Sequence, residues 1–583
     1  MLCSPIRESA HRGNDDLLTA GLGLAGLRGA PTLFADAAAP TAEELRRRAI
    51  QTSWKGIADL GPLGGYGELY GDVAMVPGRE YQAFAKLAHA RSSHRVLVQV
   101  PDNFDAKARC LIVTASSGSR GVYGAIAIAG AWGLTHGCVV AYTDKGAGTG
   151  YFDPADGTGV ALDGTRAAAG GTPLEFVPGE SASKSEPAGI AAKHAHSGDN
   201  PEADWGRHVL QAAQFGLTML DRAFPQAAPF TAHNTRVIAV GVSNGAGAVL
   251  QAAGIDHDNI LSGVVAISPN IAAAADTPAR PLYDYTTEAA LLLPCALTDA
   301  RFDMVPFARE QGHVAPAWSA RCAELHARGL LQAADAKAQA AEALERLHQH
   351  GWSDAAVATA ASSTAFDLWR AVAATYASSY ARSSVGAMPC GFRFAAHDQD
   401  GKPRAASPAE RAAWWADASG IPPGAGVFLD EAAPGAGADP ALPALLCLRE
   451  LWTGNDAVAT HVRASVAATR ARLPRKDLPI WVIHGSEDGL LPIAFTSEPY
   501  VAWLRANGRD PLYWPIPHAQ HFDAFLALPA FGDRYVPLLP YAYTALDRMY
   551  AHLTNNAPLP SAVPAAAPRG ATKLTFDRLG FSC

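Results

Sequence analysis

The run Arg236-Val237-Ile238-Ala239-Val240-Gly241-Val242-Ser243-Asn244-Gly245-Ala246-Gly247-Ala248-Val249-Leu250 decides how the rest of the chain is read. Residues 236–240 are apolar and mostly β-branched, which predicts a buried strand, and the small residues 246–253 can continue as helix. Between them stands G-x-S-x-G. In that frame the pattern predicts a serine on a sharp strand-to-helix turn, its hydroxyl lifted above the end of a sheet. Such a turn strains the serine backbone and crowds its neighbours, so Cβ atoms at 241 and 245 would clash. The bare pentapeptide is common; the flanking strand and helix give it weight. Ser243 is therefore the predicted nucleophile.

A serine hydroxyl is protonated at neutral pH and needs a base, and the base needs an orienting acid. The strand-like run Leu478-Pro479-Ile480-Trp481-Val482-Ile483-His484-Gly485 leads into Ser486-Glu487-Asp488, and residues 511–516 lead into His518-Ala519-Gln520-His521-Phe522. This places Asp488 and His521 in loops beyond strand ends. The order Ser243, Asp488, His521 is that of an α/β-hydrolase rather than of chymotrypsin or subtilisin. His518 and Glu487 are the competitors for base and acid, and His484 reads as structural. Runs 95–100, 110–114, 137–143 and 262–267 are nearly continuously apolar, as in a mostly parallel sheet covered on both faces. The loop Ser116-Ser117-Gly118-Ser119-Arg120 follows one of them. It lacks both phosphate-binding glycine patterns and fits the loop that gives N–H groups to an oxyanion; Ser117, Gly118, Ser119 and Asn244 are the predicted donors. The plainer alternative is a Ser/Gly turn opening a helix over 121–134. Ser119 lacks the frame of a nucleophile.

The chain has 583 residues, too many for one core to grow without an insertion or a second domain. It is 49% hydrophobic and 17% charged, which predicts a folded protein. Its formal charge of −8 argues against nucleic acid or an anionic membrane as partner, and no apolar run has the length of a membrane span. No cofactor motif is present. The eight cysteines form no C-x-x-C; Cys110 and Cys138 read as small apolar residues beside strands, and Cys295 and Cys390 as candidates to bridge. The predicted organisation is an irregular and helical segment over 1–95, a catalytic α/β core over 96–270 and 477–583, and a helical lid over 271–476. Trp369, Tyr376, Tyr380, Trp414 and Trp415 are expected in the lid core, one or two of them lining a cleft. Residues 146–200 read as an extended surface loop. At its end His194 and His196 suggest metal, but no further ligand cluster joins them, so a hydrogen-bonded pair is expected, followed by Asn200 as N-cap of a helix. The first residues lack the basic start and strong apolar core of a secretory signal, although Ala35-Asp36-Ala37 imitates a cleavage site.

With these stretches assembled, the chain resembles the D-(−)-3-hydroxybutyrate oligomer hydrolases of polyhydroxybutyrate-degrading bacteria. The residues carrying the resemblance are NDDLLTAGLG at 14–23, TASSGSRGVYGA at 114–125, YTDKG at 142–146, 193–206, 241–245, 481–492, and HAQHFDAF at 518–525. The resemblance implies an α/β-hydrolase that cleaves soluble (R)-3-hydroxybutyrate oligomers to monomer, with its serine on Ser243 and no cofactor. It also implies action outside the cell, whereas the first residues alone leave a cytoplasmic location open. Tannase and feruloyl-esterase relatives carry cysteines beside the catalytic Ser and His; here Val242 and Gln520 stand there. A serine peptidase and a non-catalytic polymer-binding scaffold are the remaining readings. An N-terminal propeller would favour the peptidase and is not seen in 1–95; the intact Ser, Asp and His argue against the scaffold.

Overall fold

A computed structural model describes the chain apart from residues 180–188, 275, 418–420, 422–423, 561, 571–572 and 582–583. Among the described residues one sheet dominates. Its strands are β1 (Arg7–His11), β2 (Gly78–Ala85), β3 (His94–Pro101), β4 (Cys110–Ala115), β5 (Val139–Thr143), β6 (Arg236–Val242), β7 (Gly263–Ile267), β8 (Ile480–Gly485) and β9 (Leu512–Ile516). They lie in the order β1-β2-β3-β5-β4-β6-β7-β8-β9. From β5 to β9 neighbouring strands run parallel, and β1, β2 and β3 add on antiparallel. Helices Pro201–Ala223 and Asn244–Ile255 pack on one face, and helices Ala42–Lys55 and Leu539–Asn555 on the other. This is an α/β-hydrolase architecture. Both faces are covered, which explains why β4, β5, β6 and β7 read as continuous apolar runs.

The sheet reaches further back than the sequence predicts. Residues 1–95 contribute β1 and β2 and are not merely irregular and helical. The cause is polar: β2 turns Glu80 and Gln82 inward, so no apolar alternation marks it. Glu80 is fully buried and accepts from Arg46 Nη2 at 2.8 Å, Gln99 Nε2 at 2.8 Å and the Tyr123 hydroxyl at 2.9 Å. Arg46 sits on the helix opened by the Thr41–Glu44 capping box and also pairs with Asp15 at 2.7 Å. Burial alone would raise the Glu80 pKa, but Arg46 and His11 outweigh it and hold the carboxyl down at about 2, against an ordinary 4.5. Its stabilisation is therefore complete above pH 4.5 and is lost as pH falls toward 2, because the unfolded chain takes up its proton first. Glu80→Gln breaks the fully buried half of the Arg46 pairing and leaves Arg46 only Asp15, which should cost up to about 3–5 kcal/mol. Urea unfolding at neutral pH measures this; a loss under about 1 kcal/mol would mean that the N-terminal segment is held by packing alone.

Between β7 and β8 the chain leaves the sheet. This insertion carries helices Leu282–Ala296, Pro316–Ala327, Ala336–Gln349, Asp354–Ala365, Leu368–Ala381, Pro408–Asp417, Leu442–Thr453 and Ala457–Ala467. It also holds a three-stranded antiparallel sheet, Pro403–Arg404, Phe392–His397 and Phe428–Glu431, so it is not the wholly helical lid that its alanine content predicts. It has its own core, which includes Trp369, Tyr376, Tyr380 and Trp414, whereas Trp415 packs into the core beneath the main sheet.

The cysteines depart from the expectation that Cys110 and Cys138 are free. Cys110 and Cys138 are bonded to one another across β4 and the start of β5. Cys295 pairs with Cys322 and Cys390 with Cys447, so each bridges within the insertion but not to the other. Cys3 is free and exposed, and Cys583 lies outside the described residues.

The stretch 146–200 is also not a surface loop over its described part. Tyr151–Phe152 pairs with Ala191–Ala192 and Thr158–Val160 with Arg166–Ala168. Two buried ion pairs draw it inward, Lys193 to Asp144 at 2.7 Å and Arg95 to Glu175 at 2.7 Å. Low hydrophobicity misleads here because charges satisfy one another inside. Residues 180–188 of this stretch lie outside the described residues.

Candidate active site

Ser243 directly follows β6 with φ 59° and ψ −123°, a strained conformation that costs about 1–3 kcal/mol and must be held by its surroundings. The two glycines make it feasible. A Cβ on Gly241 would meet the Gly245 carbonyl at 2.4 Å, and one on Gly245 would meet the Ala115 carbonyl oxygen at 2.3 Å. Strands β6, β8 and β9 end on the same edge of the sheet, and the loops after β8 and β9 bring Asp488 and His521 to Ser243. His521 Nε2 lies 3.0 Å from Ser243 Oγ, and His521 Nδ1 lies 2.5 Å from Asp488 Oδ2. An imidazole protonated on Nδ1 donates to Asp488 and leaves Nε2 to accept the serine proton.

The acid is tightly held. Asp488 Oδ1 accepts from the N–H groups of Leu490 and Leu491, each at 2.8 Å, and Oδ2 also faces His484 Nε2 at 3.0 Å. Burial works against its charge, yet the histidines His521 and His484 and their hydrogen bonds prevail, and the carboxyl stays well below the usual carboxylate range. Glu487 instead faces His518 Nδ1 at 3.5 Å, both partly exposed. The structure thus brings Ser243, His521 and Asp488 together and leaves His518 and Glu487 outside.

The predicted oxyanion donors converge on the same place. Asn244 opens helix Asn244–Ile255, so its N–H has no partner within the helix. Among the described residues the N–H groups of Ser117, Gly118 and Ser119 donate to no protein acceptor. All four residues, with Ser243, line one cavity of about 510 Å³. The insertion supplies much of its wall, including Leu282, Phe366, Leu368, Trp369, Val372 and Tyr376. A hydroxyl poised on a base, unpaired N–H groups beside it and an apolar, covered cavity can together cleave an ester by acyl transfer.

Residues 2–582 match the model of the family described as 3HB-oligomer hydrolase. The chain belongs to that family. A relative in Paracidovorax citrulli called D-(-)-3-hydroxybutyrate oligomer hydrolase is 40% identical over 97% of this chain and 89% of its own length. One in Cupriavidus metallidurans with the same name is 38% identical over 98% of this chain and 86% of its own. Among solved structures, feruloyl esterase B from Aspergillus oryzae aligns at 13% identity and TM-score 0.38, covering 84% of this chain and 85% of that one. Tannin acyl hydrolase from Aspergillus niger aligns at 12% and 0.40, covering 85% and 82%.

In this chain several site residues escape sequence reasoning. His484, placed as a structural strand end, donates to the acid, while its Nδ1 lies 2.7 Å from Ser497 Oγ, itself 3.1 Å from the Tyr513 hydroxyl. His194 does not pair with His196. Its Nδ1 lies 2.6 Å from Ser119 Oγ, and its Nε2 is hydrogen-bonded to Glu202, which pins the 117–119 loop to helix Pro201–Ala223. Among the described residues no cluster of side chains suits a metal ion. Asn200 makes no side-chain cap; its amide donates to the Ser465 carbonyl at 2.9 Å. The resemblance already touched 142–146 and 193–206, but no spacing rule says that they fold beneath Ser119.

Tyr376 reaches in from the insertion. Its hydroxyl accepts from Asn244 Nδ2 at 2.9 Å, and Asn244 Oδ1 accepts from Asn270 Nδ2 at 2.9 Å. Tyr376→Phe strands a buried amide donor, at a cost of about 1–3 kcal/mol. The expected result is a fall of about tenfold or more in kcat with little change in KM, because the displaced group is Asn244, a predicted oxyanion donor. Steady-state kinetics would separate the two, and a change confined to KM would place Tyr376 in substrate binding alone.

Proposed function

We propose that this chain hydrolyses the ester bonds of soluble (R)-3-hydroxybutyrate dimers and oligomers to monomer. The observation that carries the reading is the chain of hydrogen bonds from Ser243 through His521 to Asp488, opening on a covered apolar cavity, in a member of this family. Ser243 Oγ attacks the ester carbonyl carbon while His521 Nε2 takes its proton. The N–H of Asn244 and those of Ser117 to Ser119 receive the oxyanion, each donor contributing about two to three decades in rate. Asp488 holds the imidazole tautomer and steadies the imidazolium. Collapse of the tetrahedral intermediate breaks the bond to the alcohol oxygen, which His521 protonates; the carboxylate-terminal unit leaves with a free hydroxyl and the acyl part stays on Ser243. Water, deprotonated by His521, then hydrolyses the acyl-Ser243 and restores the hydroxyl.

The methyl-bearing carbon chain of the oligomer suits a wall of leucine, valine and aromatic side chains. The cover formed by the insertion separates Ser243 from any flat solid, so crystalline polymer should not be solubilised. The test is to assay hydroxybutyrate dimer and trimer beside aromatic esters and a peptide panel. Turnover of the oligomers with the rest inert is expected; preference for an aromatic ester or a peptide would reverse the reading.

A further inference from the structure

The wall of the Ser243 cavity holds one charged side chain among the described residues, and it is Arg120. It directly follows the oxyanion loop. Among the described residues its guanidinium has no acidic partner and no hydrogen-bond acceptor; it rests against the backbone of Gly56, whose lack of a Cβ leaves room for it. Arg46, Arg95 and Arg321, by contrast, are buried and paired: Arg46 with Glu80, Arg95 with Glu175 and Arg321 with Asp439. Burial pushes the Arg120 pKa down to about 10 with no carboxylate opposing it, so it remains a cation at neutral pH. Arg120 is partly exposed, so its cation keeps some contact with water but has no counter-charge among the described residues. In a chain of formal charge −8, a lone cationic residue lining an otherwise uncharged cavity marks a place for an anion that arrives with the substrate.

We propose that Arg120 is a specificity residue that binds the free carboxylate of a linear hydroxy-acid oligoester while its ester bond lies at Ser243. The inference rests on the oligoester reading above. A hydroxybutyrate oligomer has an uncharged methyl-bearing chain and one carboxylate at its end, matching an apolar wall with a single cation. Guanidinium offers that group a two-pronged contact that no neutral residue of the wall can replace.

The test compares (R)-3-hydroxybutyrate dimer as the free acid with its methyl ester. The wild-type enzyme should favour the acid by about ten- to a hundredfold in kcat/KM, the range of one charge-assisted contact. In Arg120→Gln that ratio should fall to about one, chiefly through KM, and Arg120→Lys should keep part of it. Equal rates on acid and methyl ester in the wild type would overturn the inference whether or not either variant folds. A preference that persists undiminished in Arg120→Gln would overturn it too. If neither compound is turned over, the oligoester reading fails and takes this one with it.

Discussion

Ser243→Ala should reduce turnover of the dimer by about four to six decades, leaving only what binding and the oxyanion donors provide over water. The variant should stay folded. Alanine keeps the Cβ that the elbow already accommodates, and the lost hydroxyl makes one hydrogen bond, to His521. Circular dichroism and the urea midpoint check the second statement, and labelling by a fluorophosphonate checks the first: wild type labels and the variant does not. Activity near wild type would move the nucleophile elsewhere. Ser119 would be examined first, because it too lies against a histidine backed by an acid and lines the same cavity.

His521→Ala should be nearly as severe, and His518→Ala much milder. The two histidines share a loop and lie three residues apart, yet their surroundings differ. His521 is almost wholly buried between Ser243 and Asp488, while His518 is partly exposed and faces Glu487. Removing His521 leaves Asp488 with His484 and no base on the serine. Removing His518 loses one partly exposed contact, worth under about 1 kcal/mol. Parallel kcat measurements decide; the reverse ranking would transfer the base to His518.

The parts of the site that could be read from residues alone share one property: each is encoded within a few neighbours. The elbow is such a case, since strand, two glycines and helix all bear on one turn. Asp488 is another, because a loop just past a parallel strand must emerge at the sheet edge. His521 needed more. Its loop turns on the Gln520 side chain, whose Oε1 accepts the His521 N–H at 2.7 Å, and no pattern in the sequence encodes that contact.

Sequence alone determined the architecture of the catalytic core, the strand that ends in Ser243, the loops that carry Asp488 and the histidines, and the family. Period, glycine placement and chain order are local or ordered along the chain, so they survive without coordinates. Tertiary structure decided which cysteines meet, that β1 and β2 join the sheet behind an inward-facing Glu80, and that His484 backs the acid. It also decided that His194 and Glu202 brace the 117–119 loop, that Tyr376 crosses from the insertion to Asn244, and that Arg120 lines the cavity without an acidic partner among the described residues. These are through-space pairings between residues up to 132 positions apart in the case of Asn244 and Tyr376. A polar side chain on a strand or in a glycine-rich stretch looks exposed until its partner is known. Burial then follows from that partner, which the chain brings in from elsewhere.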